Sequence, residues 1–65
     1  MRYYILLQGE QADQSWHGYD YEEHEVEADS EDEAWEKGRA LARRNQERQS
    51  WLYWYCIRVK KLPQS

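Results

Sequence analysis

The run Tyr3-Tyr4-Ile5-Leu6-Leu7 is apolar on both alternations of an extended backbone, with Tyr3, Ile5 and Leu7 on one face and Tyr4 and Leu6 on the other. A strand over residues 2–8 with that pattern needs a neighbour on each side and belongs in the middle of a sheet. The chain has 65 residues, enough for one domain, and a domain so short buries only about 60% of the surface its unfolded chain exposes. The other elements must therefore be arranged around this strand.

After it, Gly9 to Gly18 is polar and bounded by glycines, and reads as a long hairpin loop. A second strand follows over residues 19–28. Its alternation is awkward, because Tyr19 and Tyr21 share one parity while His24, Val26 and Ala28 share the other. A β-bulge near Glu22 and Glu23 would bring all five to one face. Ser30 with Glu33 three residues on is a capping box, and it opens a helix over residues 31–48. Ala34, Trp35, Gly38, Leu41, Ala42 and Asn45 define the inward face of that helix. Glu31, Asp32 and Glu33 at its start and Arg43, Arg44 and Arg48 at its end follow the helix dipole, and Glu33 is placed to pair with Lys37.

A third strand covers residues 51–62 and ends at Pro63. Trp51, Tyr53, Tyr55, Ile57 and Val59 share one parity; Leu52, Trp54, Cys56, Arg58 and Lys60 share the other. The order ββαβ predicts an α+β fold: a three-stranded antiparallel sheet in the order 2-1-3 with one helix on one face. One helix leaves the opposite face uncovered, and the alternation places Tyr4, Leu6, Leu52 and Trp54 there. A patch of this kind marks an interface, with a second copy of the chain among its candidate occupants.

Charged residues make up 34% of the chain, but the aromatic content of 15% and the periodicity argue for a folded protein. Cys56 is the only cysteine, which excludes an intrachain disulfide and four-cysteine zinc chemistry and suits a reducing compartment. The apolar run from Tyr3 to Leu7 is too short for a signal segment or a membrane span. A cytoplasmic protein with no membrane partner is the expectation. No phosphate-binding glycine loop is present and no cofactor or metal is expected. His17, Asp20 and His24 match no ligand spacing, and Cys56 with His24 is a weak nucleophile–base pair. The expectation is a protein that is not an enzyme.

Charge segregation is the stronger signal. Residues 1–36 hold one arginine and twelve acids, a net of −11, and residues 37–65 hold eight cations and one acid, a net of +7; together these give the net charge of −4. Edge protection and helix capping use some of those acids. The remainder repel one another at a cost to a small fold, and a basic partner would relieve that repulsion. The predicted docking residues are Asp20, Glu22, Glu23, Glu25 and Glu27 on the second strand and Asp29, Glu31 and Asp32 at the helix start, with Tyr19, Tyr21 or Trp16 as aromatic anchor. The alternative is single-stranded nucleic acid held by the aromatic and basic third strand, where Trp51, Tyr53, Trp54 and Tyr55 precede Arg58, Lys60 and Lys61; Tyr4, Leu6, Leu52 and Trp54 with those three cations form the surface for nucleic acid or a second copy.

Val26 to Gly38, "VEADSEDEAWEKG", followed by an aromatic final strand closing on lysines, resembles a class of very small phage-encoded proteins that includes an inhibitor of bacterial RNA polymerase and some anti-CRISPR proteins. The resemblance implies a small inhibitor that sets acidic side chains against a basic cleft of a nucleic-acid-handling host enzyme. It carries over no individual binding residue.

Overall fold

The computed structural model describes residues 1–11 and 18–63. Its elements are β1 (Arg2–Gln11), β2 (Tyr19–Glu27), α1 (Glu31–Arg48) and β3 (Leu52–Lys61). The sheet order is β2-β1-β3, and β1 is antiparallel to both neighbours. The strand that is apolar on both alternations is therefore the central one. It runs on to Gln11, so Gly9 is a strand residue and not part of the loop.

Pairing of β1 with β2 is unbroken from Arg2 opposite Glu27 to Glu10 opposite Tyr19. The bulge expected near Glu22 and Glu23 is absent, and plain alternation turns Tyr19 and Tyr21 away from His24 and Val26. The irregularity lies on β3, where Leu6 faces Arg58 but Leu7 faces Cys56, leaving Ile57 as the extra residue. The bulge brings Leu52, Trp54, Cys56 and Val59 to the same side as Ile5 and Leu7. The expected exposure of Leu52 and Trp54 is thus corrected: both are buried under α1, at 2% and 8% exposed. Tyr53, Tyr55 and Ile57 take the open side.

Tyr3, Ile5, Leu7, Ala28, Ala34, Ala42, Leu52 and Trp54 form the core, with Val26, Leu41, Cys56 and Val59 packed at its margin. The buried face of α1 is Ala34, Gly38, Ala42 and Asn45, at steps of four, four and three residues. Trp35 and Leu41, expected among them, are half-buried at the flanks, and the Arg39 guanidinium lies over the Trp35 ring at 5.9 Å. Small residues on that face let the helix lie close to the sheet. A Cβ on Gly38 would stand 2.5 Å from Cys56 Sγ and 3.2 Å from Ile5 Cγ2. A Cβ on Gly9 would stand 3.0 Å from the Trp54 ring, so the indole lies flat on bare backbone of β1.

Local contacts hold the helix ends and the sheet edges. Ser30, with extended backbone, accepts at Oγ from the Glu33 N–H at 3.2 Å, and the Glu33 carboxylate turns to Lys37 Nζ at 3.4 Å. Lys37 also donates to the carbonyl of Glu27, tying the helix to the end of β2. On the outer edge of the sheet the Trp54 N–H donates to Gln46 Oε1 at 3.1 Å, which satisfies an edge donor from the helix.

The Gly38 contact gives a test. Glycine to alanine in a helix interior ordinarily gains about 1 kcal/mol, but overpacking costs about 1–3 kcal/mol. Gly38→Ala should lower the urea unfolding midpoint, and adding Cys56→Ala should recover part of the loss by removing Sγ. A midpoint raised by Gly38→Ala alone would show that the helix does not need this approach.

Candidate functional site

The side of the sheet away from α1 is built in rows, because residues paired across antiparallel strands point to the same face. Reading from β2 through β1 to β3, the rows are Glu25, Tyr4, Lys60; Glu23, Leu6, Arg58; Tyr21, Gln8, Tyr55; and Tyr19, Glu10, Tyr53. Ile57 lies beside the second and third rows. Glu27 and Arg2 stand at the far end. Acids therefore line the β2 side of one end and cations the β3 side, while tyrosines occupy both sides of the other end.

The tyrosines are not core residues in disguise. Tyr19, Tyr21, Tyr53 and Tyr55 are 48–57% exposed and Ile57 is 42% exposed. The Tyr19 and Tyr21 rings lie 6.4 Å apart at 46°, a tilted contact along one strand. At the charged end, Tyr4 Oη donates to Glu23 Oε2 at 2.7 Å, Arg2 reaches Glu25 at 3.5 Å, and the Met1 ammonium reaches Glu27 at 3.3 Å. The hydrogen bond to Glu23 holds the Tyr4 phenol above its usual pKa, with burial and the Glu23 charge acting the same way and Arg58 opposing.

The other predicted docking acids are elsewhere. Asp20 and Glu22 point to the helix side of β2 with His24 and Val26. Glu22 Oε1 accepts from Asn45 Nδ2 at 3.0 Å and lies 2.6 Å from His24 Nε2. Asn45 is a buried polar residue of α1, so this cluster ties the helix to an edge strand that α1 otherwise scarcely covers. The Asn45 hydrogen bond, then the His24 hydrogen bond and charge, hold the Glu22 carboxyl below its ordinary range against the opposing effect of burial. Asp29, Glu31 and Asp32 are exposed at the helix start, off both sheet faces. Lys61 takes the helix-side parity of β3. Trp16 and His17 lie outside the described residues.

A Cys56–His24 pair does not form, because Ile5 and Leu7 of β1 lie between β3 and β2. Two strand spacings put them roughly 10 Å apart. Burial, the largest influence, pushes the Cys56 thiol up, with the Arg58 backbone N–H and the Arg39 charge opposing, so the thiol stays protonated at neutral pH. Among the described residues no group of three histidine, cysteine or acidic side chains is arranged to hold a metal ion. No described helix is long and apolar enough to cross a membrane.

Compared with known proteins, the chain matches no family model, no curated protein and no solved structure at a significant level. The resemblance to small phage-encoded proteins thus stands on Val26 to Gly38 and the order of elements alone.

What sequence reasoning missed is that Tyr53 and Tyr55 share the open face with Tyr19 and Tyr21. The signal was present: moving the single bulge from β2 to β3 gathers Leu52, Trp54, Cys56 and Val59 on one side and leaves both tyrosine pairs with Arg58 and Lys60 on the other.

The Glu22 cluster gives a pH test. A carboxyl whose folded pKa is depressed adds stability that is present above its unfolded pKa and lost as pH falls through the folded value. Wild type should therefore exceed Glu22→Gln in urea midpoint at neutral pH, and the gap should close on acidification below the ordinary glutamate range. A gap unchanged by acid would show that the charge on Glu22 contributes nothing.

Proposed function

We propose that this chain is a non-enzymatic protein-interaction module that docks, through its open sheet face, a protein surface carrying cations beside an apolar patch. The observation that carries the reading is the juxtaposition on one face of four half-exposed tyrosines with the column Glu23, Glu25 and Glu27. Tyrosine supplies large contact area for little lost rotamer freedom, and interface energy concentrates in such anchors. The glutamates fix the sign and register of the partner and speed encounter. Arg2, Tyr4 and the amino terminus hold them in line, which lowers the ordering cost of binding.

Asp29, Glu31 and Asp32 serve the helix dipole in this reading and are not part of the docking surface. The lone thiol suits a cytoplasmic setting. Inhibition follows wherever the partner uses the covered cations for another ligand, as a nucleic-acid-handling enzyme does. Tyr53, Tyr55, Arg58 and Lys60 along β3 favour single-stranded nucleic acid as a second reading, since rings beside cations stack bases and meet phosphates. Against it, Glu10, Glu23 and Glu25 stand in the same rows and repel a phosphate backbone.

Capture from lysate with wild type, with Tyr21→Ser/Tyr55→Ser, and with Glu23→Gln/Glu25→Gln/Glu27→Gln tests both readings at low and moderate salt. The tyrosine variant should lose its captured protein at every salt concentration, and the glutamine variant most visibly at low salt; nuclease should change neither result. Capture that survives both variants overturns the open-face reading, and capture that vanishes with nuclease moves the function to nucleic acid.

A further inference from the structure

The protein surface described above, cations beside an apolar patch, exists on this chain itself. We infer that the open face packs against the open face of a second copy, related by a two-fold axis lying nearly along β1; this rests on the reading of that face as an interaction surface. A two-fold axis parallel to the strands keeps each residue at its height along the sheet and exchanges left for right, so β2 of one copy lies over β3 of the other.

Every row then meets its complement. Glu25 lies over Lys60 of the second copy and Glu23 over its Arg58, while Tyr21 lies over its Tyr55 and Tyr19 over its Tyr53. Symmetry repeats each contact, as an isologous interface requires. An axis across the strands instead reverses height and sets tyrosines over Glu25 and Lys60, so it matches neither charge nor apolar area. Within one copy, Glu23 and Arg58 flank Leu6 two strand spacings apart, roughly 10 Å, too far for direct pairing. The second copy supplies the near opposite charge that each lacks across its own sheet.

Aligned sheets pack about 10 Å apart with strand directions within about 30°, a separation that half-exposed tyrosines and Leu6 can fill. Three strands and the four rows give a footprint of roughly 15 by 25 Å on each copy, about 750 Å² for the pair, which is less than a stable specific interface buries and marks a weak, transient dimer. The dimer should therefore depend on concentration. A face-to-face dimer also covers the apolar side that one helix cannot, one of the remedies open to a small scaffold.

Sedimentation equilibrium from about 5 to about 500 µM reads the association. Wild type should move from monomer to dimer across that range. Glu23→Lys/Glu25→Lys and Arg58→Glu/Lys60→Glu should each weaken the dimer at least about tenfold, since each sets like charges over one another in both halves of the interface. An equimolar mixture of the two variants should restore association as a heterodimer. Circular dichroism checks that each variant is folded; should either fail, the chain carrying all four changes restores the pairs in reversed sense and should dimerise. Dimers indifferent to every charge change overturn the proposed axis. A monomeric wild type overturns the second copy as occupant; if Tyr21→Ser/Tyr55→Ser nevertheless loses a captured lysate protein, the open face is intact as a site for another protein, and if it does not, both readings fall.

Discussion

The close approach of α1 to the sheet at Gly38 is the contact on which the rest of the molecule depends. With no side chain there, Cys56 Sγ and Ile5 Cγ2 come up against helix backbone, and the small residues Ala34 and Ala42 continue the same line. A chain this short has few aliphatic side chains with which to fill a wider gap. Its core is therefore thin, and the largest ring in it, Trp54, must lie flat across Gly9 rather than stand upright between layers. Close packing of this kind lets a modest apolar area serve as a core.

That geometry makes the bulge at Ile57 the hinge between core and surface. Before it, Leu52, Trp54 and Cys56 face the helix; after it, Val59 does, and Arg58 and Lys60 are turned outward. Were alternation from Cys56 unbroken, Val59 would leave the margin of the core and Arg58 would be driven beneath the helix at a large desolvation cost. The device that completes the core is also the one that sets two cations across the sheet from Glu23 and Glu25.

The acidic run from Asp20 to Glu36 divides by structure into separate tasks. Glu23, Glu25 and Glu27 form a column on the open face, each with a donor or cation at hand. Glu22 joins Asn45 and His24 to hold an edge strand to the helix. The acids of the first helical turn meet the exposed end of the helix dipole. Crowding in sequence is thus relieved in space, because alternation sends neighbouring acids of β2 to opposite sides of the sheet.

The sequence by itself determined the element types and their order, the central place of Tyr3 to Leu7, the 2-1-3 sheet, the Ser30 cap and the helix bounds. These follow from local chemistry, from a pattern read along one element or, for the sheet order, from the rules on connections between consecutive elements. Tertiary structure decided which side of β2 and β3 faces the helix. Both alternations of β3 contain aromatics, and tyrosine, with an apolar ring and a hydroxyl that accepts water, tolerates either side. The choice fell to pairing with β1 and to the narrow gap under α1, which admits Cys56 at Gly38 and a flat indole over Gly9 but leaves no room for a row of upright tyrosines. The tyrosines, Arg58 and Lys60 therefore share the open face because of how three strands and one helix fit together, a constraint that no single strand carries in its own alternation.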